Sequence, residues 1–156
     1  MASTATTIRT PRLERVLAPR PIAGRWRNAA RLAFGGFYLA MATYNVTVVL
    51  PNAAASYTDI AHDLAWPGFD WLMLHLVVPA AVPFTVLLIA FEVGVAALVL
   101  SKGQRVRLGL LAAIAFQIGL APLMSWYELG NVPLVAWALL LLARDYDGSL
   151  WDLVRR

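Results

Sequence analysis

Cysteine is absent from the 156 residues, lysine occurs once, and charged residues make up only 14% of the chain. The first absence excludes disulfides, thiol redox chemistry, thioether-held haem and cysteine-ligated iron–sulfur clusters within this chain. Any redox centre it serves belongs to a partner or is bound by other means. The single lysine, Lys102, beside abundant Ala, Leu, Val and Arg fits a high-GC bacterial genome. The low charge departs from the roughly 25% typical of soluble domains, and with 60% apolar residues a water-soluble core is the wrong picture. Also missing are a G-x-S-x-G nucleophile, a glycine-rich phosphate loop and a histidine pair placed to clamp haem inside an apolar run. No internal repeat is visible.

What is present is a set of four apolar runs: Ala29 to Leu50, Val77 to Leu100, Leu108 to Met124 and Val132 to Ala143. Their lengths and flanks predict four transmembrane helices over about 29–50, 77–100, 106–126 and 131–144. The fourth has only about a dozen apolar residues and must tilt or be thinly covered. Arg9, Arg12, Arg15, Arg20, Arg25, Arg27 and Arg31 precede the first run; Lys102, Arg105 and Arg107 lie between the second and third; Arg144, Arg155 and Arg156 follow the fourth. The other two loops carry Asp59, Asp63, Asp70 and Glu128 and no Lys or Arg. Short loops obey the positive-inside rule best, so both termini are expected in the cytoplasm of a bacterial inner-membrane protein. The net charge of +4 is then spent on lipid headgroups, with Arg25, Arg27, Arg31, Lys102, Arg105 and Arg107 as anchors, rather than on nucleic acid.

The fold expected is an all-α membrane protein: a four-helix transmembrane domain over 25–153, preceded by a flexible basic tail over 1–24 and followed by a short cytoplasmic end, 154–156. Pro11, Pro19 and Pro21 interrupt the tail, which has no apolar run before Ala29 and does not read as a signal peptide. Gly35 and Gly36 would permit close helix contact. Between spans 1 and 2, Tyr57, Ile60, Ala61 and Leu64 recur at helical spacing with Asp59, His62 and Asp63 between them, which predicts a short amphipathic helix in the outer interface. Pro51 is read as the end of span 1. Pro79 and Pro83 are read as lying in the first turns of span 2.

Glu92 is the one formally charged residue well inside a run, eight residues before Leu100 and so about 12 Å from that end. A carboxylate at that depth is expected to turn inward or be neutralised. Counting along antiparallel neighbours puts Tyr38 and Gln117 at roughly its level, and Trp137 could wall the same place. The functional reading is a quinone headgroup site or a proton relay; the bland one is a polar staple between helices. Thr43, Tyr44, Asn45 and Thr47 make a second polar stripe, read as bonding to neighbours or to their own backbone. His62 with Asp59 and Asp63 has the spacing of a surface metal site but no matched second motif, so no metal is assigned.

Several local patterns resemble the DoxX-like family of small four-span bacterial membrane proteins. They are Arg31-Leu-Ala-Phe-Gly-Gly-Phe at the start of span 1, Phe91-Glu92-Val-Gly94 in span 2, Arg105-Val-Arg107-Leu-Gly-Leu-Leu-Ala-Ala opening span 3, and the tail from Gly148 to Asp152. The likeness covers about residues 25 to 153; the long outer segment and the run from Arg144 to Asp147 depart from the simplest pattern. It implies a small subunit, without catalysis of its own, of a respiratory or sulfur-oxidising quinone-linked oxidoreductase, with partner subunits carrying the redox cofactors and quinone as candidate ligand. Glu92 is then the family's buried glutamate, and Arg31 and Arg107 its inner-edge positions. A stand-alone proton-coupled carrier and a lipid-binding anchor are the competing readings.

Overall fold

The computed structural model describes residues 21–124, 131–144 and 146. These are helical, with no strand among them. Helix α1 (Pro21–Tyr44) passes through a π-turn (Asn45–Val49) and a 3₁₀ turn (Leu50–Asn52) into α2 (Ala53–Asp63). The short α3 (Phe69–Leu72) passes through a second π-turn (Met73–Val77) and 3₁₀ turn (Val78–Ala80) into α4 (Ala81–Leu100). Then come α5 (Gln104–Met124) and α6 (Val132–Leu142).

Three helical stretches are long and apolar enough to cross a membrane: Trp26–Asp63, Phe69–Leu100 and Gln104–Met124. The apolar α6 is shorter, at 11 residues. Outward-facing side chains say the same as length does. Leu87 on α4, Ile118 on α5 and Leu140 on α6 are 66%, 65% and 73% exposed, while Arg31, Asn45, Thr85, Glu92 and Gln117 are buried. Polar inside and apolar outside is the pattern of a protein whose solvent is lipid.

The two prolines explain why the first two stretches outlast the expected spans. A proline inside a helix lacks an N–H and its ring collides with the carbonyl four residues back. Pro51 and Pro79 each follow a π-turn and sit within a 3₁₀ turn. Widening the preceding turn to five residues moves the obstructed carbonyl away, and the Leu50 N–H bonds to the Asn45 carbonyl instead. Pro51 therefore lies within the first stretch without ending it, and Pro79 lies ten residues inside a helix that has already begun at Phe69.

The buried positions keep helical spacing. On α1 they are Arg31, Phe34, Gly35, Tyr38, Ala42 and then Asn45; on α4, Thr85, Glu92, Val95, Ala96 and Val99; on α5, Val106, Gly109, Leu110, Ala113 and Gln117. These stripes pack α1 on α4, α4 on α5 and α5 on α6, with a smaller contact between α1 and α6. Because lipid offers no hydrophobic drive between helices, close packing must hold them. Gly109 is one such point: a Cβ there would lie 2.8 Å from Leu98 Cβ and 3.1 Å from the Val99 backbone nitrogen. Gly35 is another, with Leu100 Cδ2 only 2.7 Å from where its Cβ would be. Gly36, its neighbour, faces open space.

Helix α2 carries its predicted stripe. Ala61 is buried and Tyr57, Ile60 and Leu64 are half-buried against the Met73–Ala80 turns and α4, whereas Asp59, His62 and Asp63 are exposed. The turn that follows is tied to α5, where the Trp66 N–H donates to the Pro122 carbonyl at 2.9 Å.

Candidate functional site

The interior polar site begins where α1 gives way to its π-turn. Asn45 is the first residue of that turn and is buried. Its side-chain amide nitrogen donates to both carboxylate oxygens of Glu92, at 2.9 Å to Oε1 and 2.8 Å to Oε2. Glu92 is 3% exposed, and Asn45 is its hydrogen-bond partner among the described residues. A buried polar pair of this kind is costly if half-satisfied and rigid if satisfied, and one amide group reaches both carboxylate oxygens here.

Gln117 is brought to the same place by helix register. Phe91 and Phe116 stack with centroids 4.8 Å apart, which fixes the antiparallel pairing of α4 and α5 at this level. Stepping one residue forward on each of two antiparallel helices turns both side chains to the same flank of the contact. That register puts Glu92 and Gln117 at one level and on the same flank of the α4–α5 contact, and both are buried. Gln117 Oε1 is buried with no hydrogen-bond donor among the described residues.

Tyr38 lies elsewhere. The register of α1 on α4 is set by Gly35 against Leu100 and by Asn45 on Glu92. Tyr38 is seven residues before Asn45 on the same stripe, about 10 Å along the axis, and so stands level with the last turns of α4. Its ring packs on Phe34 at 5.4 Å, and Phe34 meets Trp137 edge-on at 5.5 Å. Tyr38 and Trp137 thus join an aromatic packing layer, not the level of the carboxylate. A depth count from the span ends misplaces Tyr38 because those ends are not aligned: α1 extends beyond the C-terminal end of α4.

That offset has a chemical cause in Arg31. The expectation of a headgroup anchor fails for this residue, which is 0% exposed. Its guanidinium nitrogen donates to the Ser101 carbonyl at 2.7 Å and the Leu100 carbonyl at 3.2 Å. Helix ends leave carbonyls unpaired with partial negative charge, and Arg31 caps those of α4. The Tyr146 ring covers the guanidinium at 5.0 Å, its hydroxyl donates to the Leu141 carbonyl at 2.8 Å, and its own carbonyl accepts from the Gly103 N–H at 2.7 Å. Burial pushes the Tyr146 phenol above its ordinary range, opposed by the positive charges of Arg31, Arg27 and Arg144. Lys102, Arg105 and Arg107 are exposed and Arg27 half-buried; the Arg25 side chain lies outside the described residues.

A further polar contact sits two turns from Glu92 on α4. The Thr85 hydroxyl donates to the Ala81 carbonyl at 2.8 Å and shares a hydrogen bond with Tyr57 Oη at 3.2 Å. Thr43 and Thr47 follow the bland expectation and donate to the carbonyls four residues back. Asn45 does not. Among the described residues no three His, Asp or Glu side chains converge as a metal site would require, and Asp59, His62 and Asp63 point to the exposed face of α2.

Sequence reasoning missed the Asn45–Glu92 pair. Two signals were available: Asn45 continues the stripe of Arg31, Phe34, Tyr38 and Ala42, and it stands six residues before a proline, where a π-turn is expected.

No protein-family model, no curated protein and no solved structure matches this chain.

Proposed function

We propose that the chain is a four-span inner-membrane protein with both termini cytoplasmic, acting as a quinone-proximal subunit, not itself catalytic, of a membrane oxidoreductase complex. The observation that carries the reading is Glu92: a carboxylate at the apolar interior, bonded to Asn45 across two helices. Ionisable groups in such places mark proton or substrate sites more often than packing alone requires. The distribution of basic residues supports the orientation, and the resemblance of the Arg31 and Phe91-Glu92 segments to the DoxX-like family supports the partnership. The absence of cysteine agrees with redox cofactors residing on other subunits.

The test is affinity purification of the tagged full chain from native membranes in mild detergent, with mass spectrometry and a visible spectrum. Co-elution of a haem, flavin or metal enzyme in fixed ratio is expected, and Glu92→Gln should lower quinone-linked turnover of that complex. A colourless, partner-free protein would overturn this reading.

A further inference from the structure

The hydrogen-bond inventory at Glu92 is unbalanced in one direction. An ionised carboxylate has about four lone-pair sites, and the Asn45 amide supplies two hydrogens to them. On the same flank Gln117 Oε1 accepts nothing from the described residues. The site therefore offers a negative charge and surplus oxygen lone pairs. Arg31, the buried cation among the described residues, is committed to Leu100 and Ser101, eight residues further along α4 and about 12 Å away. What such a site complements is a small cation that is ligated by oxygen or donates hydrogens to it.

The two directions away from Glu92 differ. Toward α2, Thr85 is the next buried polar residue on the α4 stripe, and it reaches Tyr57, which is half-buried on the packed face of α2, one turn from the exposed Asp59, His62 and Asp63. In the other direction Val95, Ala96, Val99, Leu110 and Ala113 are buried to within 2%, and the Gly109 contact draws α4 and α5 together there. An ion meets hydroxyls on one side and a close-packed apolar layer on the other.

We infer that Asn45, Glu92 and Gln117 form an interior binding site for a monovalent cation, a proton or an alkali-metal ion, which exchanges with the α2 side only. This goes beyond the quinone reading and stands without it, since it requires no partner. Among the described side chains, the other titratable groups on the elements packed around the site are Arg27, Arg31, Tyr38 and Tyr44 on α1, Tyr57 with the exposed Asp59, His62 and Asp63 on α2, the exposed Asp70 on α3, and the exposed His75, which stacks on Trp71. Between Leu108 and Met124 helix α5 has none, and α6 has none.

Dicyclohexylcarbodiimide, which adds to protonated carboxyls in apolar surroundings, tests this on the full-length protein in liposomes, with the adduct at Glu92 read by peptide mass spectrometry and Glu92→Gln as blank. If the occupant is a sodium ion, added NaCl slows labelling about tenfold at fixed pH, as expected of a competitor present at about ten times its Kd. If it is a proton, NaCl has no effect and labelling falls roughly tenfold per pH unit on the alkaline side. In either case only the solution on the α2 side controls the rate, and Gln117→Leu weakens the dependence. A Glu92 labelled at a rate indifferent to sodium and to pH, a Glu92 never labelled, or a Gln117→Leu protein identical to the parent would overturn the inference. Since the assay uses the isolated chain, its failure is distinct from failure to find an oxidoreductase partner.

Discussion

Asn45 and Glu92, 47 residues apart in the chain, are joined by one amide group donating to both oxygens of one carboxylate, at 2.9 and 2.8 Å. The pair ties the end of α1 to the middle of α4. It is tied to Pro51, because the π-turn that accommodates the proline starts at Asn45.

Removing one partner should cost more than removing both. Asn45→Ala leaves a buried carboxylate without its donor and is expected to destabilise by about 1 to 3 kcal/mol. In the Asn45→Leu, Glu92→Leu double variant both polar groups are gone, and the cost should largely disappear. Reversible unfolding in mixed detergent across the double-mutant cycle measures the coupling. Additive single-variant effects would show that the bond contributes nothing.

Arg31 should behave as a buried structural cation. Arg31→Met is expected to cost about 1 to 3 kcal/mol, the range for leaving buried acceptors without their donor. Lysine should restore little of it, since its ammonium lacks the flat guanidinium face that the Tyr146 ring covers. Arg107→Met, at an exposed position, should change stability little. Equal effects at the two positions would refute the distinction.

Two glycines give a steric contrast. Gly109→Val places carbon against the Val99 backbone, which cannot retreat without parting α4 from α5, and should destabilise by about 1 to 3 kcal/mol or more. Gly36→Ala meets open space and gains helix propensity of roughly 1 kcal/mol, so its melting temperature in detergent should hold or rise.

The Tyr146 phenol gives a pH dependence with a definite sign. Burial raises its folded-state pKa above the ordinary value of 10.0, so the folded form retains the proton longer than the unfolded chain. The associated stability is fully present below the unfolded pKa and is lost as pH rises through the folded one. Stability of the parent protein should fall more steeply with alkaline pH than that of Tyr146→Phe. The variant should start lower, having lost the hydroxyl's bond to the Leu141 carbonyl. Parallel curves for the two proteins would remove Tyr146 from the account.

Much of the architecture was legible in the residue order, for identifiable reasons. Apolar runs of span length name helices directly, and the alternation of Tyr57, Ile60, Ala61 and Leu64 with Asp59, His62 and Asp63 marked α2 and its packed face. Gln117 could be set at the level of Glu92 because an antiparallel helix pair with a short connection has a nearly fixed register. Tyr38 could not be so set, because residues 51 to 80 intervene between α1 and α4, and nothing local says how far one slides along the other. The roles of Pro51 and Pro79 were misread for a related reason. A proline signals a break in the α pattern, but whether the chain ends its helix or widens one turn depends on what packs beside it.

The sequence by itself determined that this chain has helices long and apolar enough to cross a membrane, no thiol chemistry, basic and acidic segments in alternation, and one carboxylate inside an apolar run. These follow from composition and spacing, which act residue by residue. Only the tertiary structure decided that Glu92 meets Asn45, that Gln117 Oε1 is left without a donor among the described residues, and that Arg31 is buried as the cap of α4. Those outcomes depend on helix rotation and axial offset, set by glycine contacts and by one arginine satisfying carbonyls 69 and 70 residues away. Such long-range contacts are formed between side chains on different helices, and no window of local sequence contains both partners.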